Sequence, residues 1–150
     1  MSDSSQTVHA TTVALAGRAV LLRGAPGSGK SDLALRLVEE GAALVADDQT
    51  RLSRRGAELW AAAPAPLKDM IEVRGVGIVR INALDEAPVA LLIDLVGEAE
   101  MERLPEPQRE SLLGVLLPRL KLHAAAASAP AKVRLALRLA SLEGEPGWRS

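Results

Sequence analysis

The glycine-rich segment 24–31, with the sequence GAPGSGKS, constrains the fold of this chain more than any other feature. It fits the pattern G-x-x-x-x-G-K-[ST] in full, and it lies between an apolar run at 19–23 and an amphipathic repeat that begins at Lys30. In that context the glycines let the backbone curl so that several N–H groups point at a polyphosphate, and the following helix adds the positive end of its dipole. The segment predicts nucleotide binding, with Lys30 on the β- and γ-phosphates and the Ser31 hydroxyl on Mg²⁺. The predicted binding residues are Gly24, Ala25, Pro26, Gly27, Ser28, Gly29, Lys30 and Ser31.

The rest of the chain favours a mixed α/β domain in which strands outnumber helices, not a regular doubly wound fold. Residues 1–7 are polar and predict a flexible N-terminal tail, and residues 8–150 predict a single domain. Within 115–122, Pro118 favours a strand at the edge of a sheet. The predicted strands are 8–15, 19–23, 43–46, 71–73, 76–81, 89–96 and 115–122, with a hairpin of 49–54 and 58–62; the predicted helices run from Lys30 to a stop at Gly41 and over 132–142, capped by Ser128.

The composition excludes several classes of function. The 150 residues include no Cys, Phe or Tyr, so the core is aliphatic and disulfides or Cys-ligated metal sites are excluded. The net charge is −1, which gives no sign of a nucleic-acid or anionic membrane partner. The apolar run 89–96 contains Asp94 and is far shorter than the ~20 residues of a membrane helix. We therefore expect a cytoplasmic protein that binds neither nucleic acid nor membrane.

Two adjacent carboxylates, Asp47 and Asp48, follow the next apolar run after the glycine-rich loop. In a fold of this kind that position is the tip of a strand beside the phosphates. Because adjacent residues on a strand point to opposite faces, the two acids have different roles. One can orient Mg²⁺ or its water shell, and the other can accept the proton of an attacking hydroxyl. The alternatives are a solvated turn and, as a rival metal carboxylate, Asp94.

Segment 71–78, with the sequence IEVRGVGI, places a carboxylate and a guanidinium two residues apart. Glu72 and Arg74 therefore share one face of a strand, and Gly75 and Gly77 let a ligand or another backbone approach closely. This pairing suits a metal and phosphate site. An exposed charged strand face is the simpler interpretation of the same residues.

The three motifs, in this order, resemble the catalytic C-terminal domain of HPr kinase/phosphorylase. That family has a histidine-containing strand, a glycine-rich phosphate loop, a strand ending in L-V-A-D-D and a later E-[IV]-R-G-[LV]-G-[IV] signature. Here the matching residues are His9, segment 24–31, segment 44–48 and segment 72–78. The resemblance implies a P-loop kinase domain with a mixed, phosphoenolpyruvate carboxykinase-like β-sheet and a few flanking helices. It also implies the short form of the family, which lacks the N-terminal domain.

By this resemblance the reaction is Mg-ATP-dependent phosphorylation of a serine in an HPr-type phosphocarrier of the sugar or nitrogen phosphotransferase system. GTP and pyrophosphate are alternative donors, phosphorolysis is the family's reverse reaction, and relatives form hexamers. Asp48 is then the base, with Asp47 near the metal. The resemblance further implies Ser31, Glu72 and Asp47 as metal-binding residues, and Lys30, His9 and Arg103 as catalytic residues beside the two aspartates.

One departure from the family pattern bears on the reaction. The family's later Arg- and Asn-containing segment, linked to dephosphorylation, is not evident at 124–132. Kinase activity is therefore better supported than phosphorylase activity. Two other functions stay open: a P-loop small-molecule kinase, which needs a lid and a substrate pocket, and a non-catalytic ATP sensor, which needs neither a base nor a second carboxylate. The lack of Phe and Tyr further predicts weak discrimination between ATP and GTP.

Overall fold

A computed structural model describes residues 5–141 and shows one large mixed β-sheet, a separate two-stranded hairpin and two α-helices. The predicted α/β class is confirmed. Short 3-10 helices lie at Ala65–Leu67 and Glu98–Glu100. The elements are β1 (Ser5–His9), β2 (Thr11–Leu15), β3 (Arg18–Arg23), α1 (Lys30–Glu39), β4 (Ala43–Ala46), β5 (Gln49–Arg55), β6 (Glu58–Ala62), β7 (Met70–Val73), β8 (Gly77–Arg80), β9 (Glu86–Leu95), β10 (Gln108–Leu112), β11 (Val115–Leu122) and α2 (Ala129–Ala140).

Strand β9 is the centre of the large sheet, whose strand order is β1-β5-β6-β9-β3-β2-β4. One edge of β9 pairs in parallel with β3 from Val89 to Asp94. The other edge is shared, since its first residues pair with β6 and its last residues pair in parallel with β11, which carries β10. The sheet therefore forks at β9. The two parallel neighbours, β3 and β11, both end at the same end of β9.

The alternation of side chains along the strands builds two apolar clusters, one on each face of the sheet. On β3, Val20 and Leu22 face α1 and α2, together with Leu33 of α1. Leu21 faces the opposite way, where it packs with residues of β5 and β6 such as Leu52. All of these side chains are fully buried. The antiparallel strands β5 and β6 therefore cover the face of the sheet that has no helix.

Helix α1 follows the glycine-rich loop directly, as its sequence predicts. Leu33 and Leu37 recur at the helical spacing and are buried. The helix ends just before Gly41, whose φ of 111° is a conformation that favours glycine. Helix α2 begins at Ala129, directly after the predicted cap residue Ser128, and Pro130 lies in its first turn as its sequence predicts. The predicted last residue of this helix lies outside the described residues.

The prediction of one strand over 8–15 was wrong, because the residues before and after Ala10 pair with different strands. Strand β1 pairs with β5, whereas β2 pairs with β3 and β4. The Ala10 N–H donates to the carbonyl of Asp48 at 3.2 Å, so the break is held in place. Strand β1 also includes residues 5–7, which the sequence assigned to the tail; residues 1–4 lie outside the described part.

Strand β11 as a whole lies between β10 and β9, but Pro118 itself is paired only with Arg109 of β10, so the edge position predicted for it holds locally. The parallel pairing with β9 begins only at Arg119, so the missing N–H of Pro118 interrupts no bond there. Strand β10, which the sequence did not predict, has the polar sequence QRESL and pairs with β11 over its whole length.

Candidate active site

The glycine-rich loop spans the gap between the end of β3 and the start of α1, and two of its glycines have no room for a side chain. A Cβ atom on Gly24 would lie 2.4 Å from Ser28 Oγ and 3.2 Å from the Leu95 carbonyl oxygen. A Cβ atom on Gly29, whose φ is 98°, would lie 2.9 Å from the Cβ of Ala124. The loop is therefore tightly seated on the end of β9 and on the segment before α2.

Two polar side chains of the loop turn inward. Lys30 is 9% exposed, and its Nζ donates to the carbonyl oxygens of Gly24 at 2.9 Å and Ala25 at 3.3 Å. Ser28 Oγ is buried and has no hydrogen-bond partner among the described residues. A buried hydroxyl without a partner costs free energy. A phosphate oxygen bound in this loop would supply the missing partner.

Asp47 is the polar centre of the site, since three donors from three different elements converge on its carboxylate. Ser31 Oγ donates to Oδ1 at 2.6 Å, and Thr11 Oγ1 donates to the same oxygen at 3.1 Å. The backbone N–H of Glu72 donates to Oδ2 at 3.2 Å. The Asp47 carboxylate, which directly follows β4, is therefore hydrogen-bonded to the glycine-rich loop, to β2 and to β7.

Asp48 differs from its neighbour in both backbone and exposure. Its φ of 68° is in the left-handed region, where Asp is one of the residue types found with some frequency. Its N–H donates to Thr11 Oγ1 at 3.0 Å, while its side chain is exposed. Asp47 is only half-exposed and is held by its three donors. The two acids therefore differ in environment, since one carboxylate is fixed and the other is open to solvent.

The donor set fits a Mg²⁺-nucleotide complex. Magnesium prefers oxygen ligands and is usually held by one or two carboxylates together with phosphates and water, not by an all-protein cage. The Ser31 hydroxyl and the Asp47 carboxylate are such oxygens, at the mouth of a loop with an unpaired Ser28 hydroxyl. Among residues 5–141 no group of three or more His, Cys, Asp or Glu side chains has metal-binding geometry. When bound, Mg²⁺ neutralises charge on the phosphates.

The remaining predicted residues lie at different distances from this centre. Glu72 reaches Asp47 through its backbone, and its side chain is exposed on the hairpin of β7 and β8. His9 is exposed at the end of β1, where it pairs with Gln49 next to Asp48. Arg103 is exposed in the irregular segment between the second 3-10 helix and β10, and no hydrogen bond of the described residues links it to the loop.

The segment 123–127, just before α2, forms the other wall of the loop. Ala124 is 3% exposed and lies against Gly29. The guanidinium of Arg36 on α1 donates to the carbonyl oxygens of Ala124 and Ala126 and so holds this segment. His123 is bonded through Nδ1 to the carbonyl of Val96 at 3.0 Å. The wall next to the loop is thus mostly alanine and backbone.

Asp94, the rival metal carboxylate, is held in a four-membered ion-pair network on the opposite face of the sheet. Its two oxygens lie 2.9 Å from Arg23 Nε and 2.7 Å from Arg119 Nε. The guanidinium of Arg23 also binds both oxygens of Glu110 at 2.8 Å. The hydrogen bond to Glu110 and the Asp94 charge raise the pKa of Arg23, and the hydrogen bond from Arg23 lowers the pKa of Glu110. Two arginines therefore neutralise two carboxylates in this network.

Trp60, the one aromatic residue among residues 5–141, lies far from the phosphate loop. Its ring is covered by the Arg55 guanidinium at 4.5 Å from the ring centroid. It pairs with Pro88 near the start of β9, whereas the loop rests on Leu95 at the end of that strand. The other tryptophan, Trp148, lies outside the described residues.

Sequence reasoning found the loop and the two aspartates but missed Thr11. The one signal was a pair of threonines in a predicted strand, and the structure shows both to be fully buried. A buried hydroxyl needs a hydrogen-bond partner, so adjacent threonines in an apolar strand indicate a polar contact on each face of the sheet. The sequence does not reveal that the partner of Thr11 is the aspartate pair.

Comparisons with known proteins agree on one family. The family model described as HPr Serine kinase C-terminal domain matches residues 2–133. A protein named HPr kinase/phosphorylase from Azoarcus sp. (strain BH72) is 36% identical over 133 residues, which are 80% of this chain and 42% of that protein. The protein of the same name from Ralstonia nicotianae is 33% identical over 131 residues, covering 80% of this chain and 40% of that protein. The chain spans less than half the length of these curated relatives.

A solved structure, that of the Hpr(Ser) kinase/phosphatase from Coxiella burnetii, superposes with a TM-score of 0.83 at 27% sequence identity. The match covers 93% of this chain and 93% of that chain. Within residues 5–141, neither helix has the length and apolar character required to cross a membrane.

Proposed function

Because the chain belongs to the family of the HPr serine kinase C-terminal domain, we propose that it transfers a phosphoryl group from Mg-ATP to a serine of an HPr-type phosphocarrier protein. The observation that carries the proposal is the pairing of a fixed and an open aspartate beside the phosphate loop. Asp47 accepts three hydrogen bonds, one of them from Ser31, while the side chain of Asp48 is exposed. These are the two carboxylate roles that phosphoryl transfer to a hydroxyl requires.

In the proposed reaction the serine oxygen of the phosphocarrier attacks the γ-phosphorus of ATP as the bond to the β-phosphate oxygen breaks. ADP leaves, and the serine proton passes to the carboxylate of Asp48. Lys30 and the loop N–H groups bind the phosphates, and Ser31 with Asp47 would hold Mg²⁺. The protein forms no covalent bond with the phosphoryl group, so positioning and charge stabilisation supply the catalysis.

Three further residues complete the proposed site. Glu72 adds a second carboxylate toward Mg²⁺, supported by the contact of its backbone with Asp47. His9 lies at the strand end next to Asp48 and supplies a titratable group on the side from which the serine approaches. Arg103, in an exposed segment, contacts the phosphate or the partner when the phosphocarrier is bound.

Phosphorolysis is a separate part of the proposal. The wall of the loop at 123–127 contains four consecutive alanines, where the family has an Arg- and Asn-containing segment linked to dephosphorylation. Ala124 touches the loop and offers no charged group to an incoming inorganic phosphate. We therefore propose that transfer to the phosphocarrier is the main reaction and that phosphorolysis is slow.

The setting of the reaction follows from the same proposal. We place the protein in the cytoplasm, where ATP is supplied, with GTP and pyrophosphate as alternative donors. Hexameric assembly, which the family resemblance implies, stays a prediction that light scattering of the purified chain would test.

The test is to incubate the protein with labelled Mg-ATP and a purified HPr-type phosphocarrier, and to map the phosphate. We expect phosphoserine that is lost in Lys30→Ala and Asp48→Asn and retained in Asp85→Asn. Asp85 is the matched control, because its carboxylate is exposed and pairs with Lys68 at the surface. Binding of ATP without transfer to any HPr-type protein would favour the sensor, and transfer to a small molecule would favour the other kinase class.

A further inference from the structure

We propose that Thr11 is a positioning residue for phosphoryl transfer, because its one hydroxyl holds both aspartates of the site. This inference rests on the proposed function for its kinetic consequence. Thr11 is the first residue of β2 and is 0% exposed. It lies on the sheet face that carries the phosphate loop and α1, as does Val13 two residues later.

The hydroxyl of Thr11 uses both of its hydrogen-bonding functions within the aspartate pair. It donates to Asp47 Oδ1 at 3.1 Å and accepts the N–H of Asp48 at 3.0 Å. A hydroxyl has one donor hydrogen and acceptor lone pairs, so a single atom can do both, whereas the methyl group of valine can do neither. The side chain of one acid and the backbone of the next are therefore fixed relative to each other.

The contact with Thr11 matters because it holds an unusual backbone conformation at Asp48. With a φ of 68°, Asp48 adopts the left-handed conformation, which is uncommon for residues other than glycine even though Asp is enriched there. Its N–H is held by Thr11, and its carbonyl accepts the N–H of Ala10. Strained backbone persists where surrounding contacts over-determine it. Loss of the Thr11 hydroxyl would let the Asp48 carboxylate, the proposed base, move away from the attacking serine.

The neighbouring residue Thr12 separates this role from an ordinary contribution to folding. Thr12 is equally buried, but its hydroxyl lies on the opposite face, where it pairs with the hydroxyl of Thr50 at 2.8 Å. The partners of Thr12 do not include either aspartate. A Thr→Val change at 11 or 12 thus removes one buried hydroxyl from the same strand, and only the change at 11 removes it from the site.

The kinetic experiment compares Thr11→Val, Thr11→Ser and Thr12→Val in transfer from Mg-ATP to a purified HPr-type phosphocarrier. We expect Thr11→Val to lower kcat by about 10- to 100-fold, because displacing reacting groups by about 1 Å can have that effect. In Thr11→Val the KM for Mg-ATP should rise less than kcat falls, by severalfold at most, and Thr11→Ser and Thr12→Val should keep kcat within about threefold of the parent. Urea unfolding of both valine variants reports how much each hydroxyl contributes to folding.

Two results would overturn the role of Thr11. One is a kcat for Thr11→Val that is no lower than that of Thr12→Val. The other is a failure of Thr11→Ser to restore kcat, which would show that the hydroxyl is not the relevant group.

A second experiment tests the positioning role of Thr11 without a transfer assay. It therefore applies even when the parent protein transfers no phosphate and the proposed function has failed. Calorimetry measures how much Mg²⁺ increases the affinity of each variant for ATP. NMR measures how fast the backbone amide hydrogen of Asp48 exchanges with solvent. Thr11→Val should reduce the Mg²⁺-dependent gain severalfold and speed amide exchange, and Thr12→Val should do neither. An unchanged Mg²⁺ gain in Thr11→Val would refute the positioning of Asp47.

Discussion

Two consecutive residues at the end of β3 lead into two regions that are built from different chemistry. The side chain of Arg23 enters the ion-pair network with Asp94, Glu110 and Arg119, on the face without helices. Gly24 begins the phosphate loop, which leads to the hydrogen-bonded centre at Asp47. In the network every carboxylate meets a guanidinium. At the centre, the described donors to the Asp47 carboxylate are hydroxyl and amide groups, which carry no charge.

The comparison shows what distinguishes a structural carboxylate from one that suits a metal site. Asp47 and Asp94 are both half-buried acids at strand ends. The charge of Asp94 is neutralised by two arginines, which leaves little attraction for a cation. The carboxylate of Asp47 is oriented by uncharged donors that do not neutralise it, which suits the Mg²⁺ ligand proposed above. The partners of the acid therefore separate the two cases better than its burial or its place in the sequence.

Between the two regions, the largest expected effect comes from Asp47→Asn. This change keeps the size of the side chain but removes the charge that orients the Ser31 hydroxyl and would hold the metal, so transfer should fall by about 100-fold. A radiometric transfer assay measures the change, with Asp94→Asn as the matched acid-to-amide control. Loss of transfer in a folded Asp94→Asn, with Asp47→Asn active, would reverse our assignment of the two acids.

Asp94→Asn should act on stability instead. The change leaves Arg23 and Arg119 with an incomplete set of acceptors in a partly buried network. Because these side chains are 21–31% exposed, solvent screens part of the effect. We expect the free energy of unfolding in urea to fall by about 1–2 kcal/mol, with the Kd for Mg-ATP unchanged. An unfolding free energy equal to that of the parent would show that the network contributes nothing net.

Acidification should weaken the same network through Glu110. The hydrogen bond from Arg23 holds the pKa of Glu110 below its usual value of 4.5, so the folded state is favoured by this group at any pH above 4.5. That contribution is lost as the pH falls through the lowered pKa of the folded protein. The stability difference between the parent and Glu110→Gln should therefore be complete at neutral pH and shrink below pH 4.5. The exposed pair of Arg55 and Glu86 provides the comparison, and Glu86→Gln should give a smaller difference at every pH.

The smallest expected effect concerns the nucleotide base, for which neither region offers an aromatic side chain of Phe, Tyr or Trp. Trp60 is at the far end of β9 from the loop, and the phosphate contacts do not depend on the base. Calorimetric Kd values for Mg-ATP and Mg-GTP should agree within about threefold, and Trp60→Leu should leave both unchanged. A preference for adenine above about tenfold would show a base-binding contact that the described residues do not reveal.

The parts of the molecule that follow from local sequence were predictable, and the parts that depend on distant partners were not. The loop, β3, α1 and β4 follow from glycine spacing and apolar periodicity, which act within a few residues. The break at Ala10 follows from the pairing of β1 with β5, a tertiary choice that leaves no mark in segment 8–15. The polar strand β10 forms only because β11 offers it a full set of partners.

The site shows the same division. The aspartate pair was visible from its place after an apolar run, but the three donors to Asp47 come from residues 11, 31 and 72. The sequence offers Asp94 as a rival metal ligand, and only the fold shows that Arg23 and Arg119 pair with its carboxylate. Side-chain roles that depend on such distant contacts require the fold itself.

The parallel pairing of β3 with β9 sets an order of events during synthesis on the ribosome. The loop that binds phosphate is complete once residue 31 has been made, but the strand end on which it rests, Leu95, follows more than sixty residues later. At translation rates of about 5–20 residues per second, a nascent chain exposes this loop for roughly 3–13 s before its support exists. Under the proposed function, nucleotide binding therefore cannot guide the early stages of folding, because β9 and then the wall at Ala124 must be made before the loop has its neighbours.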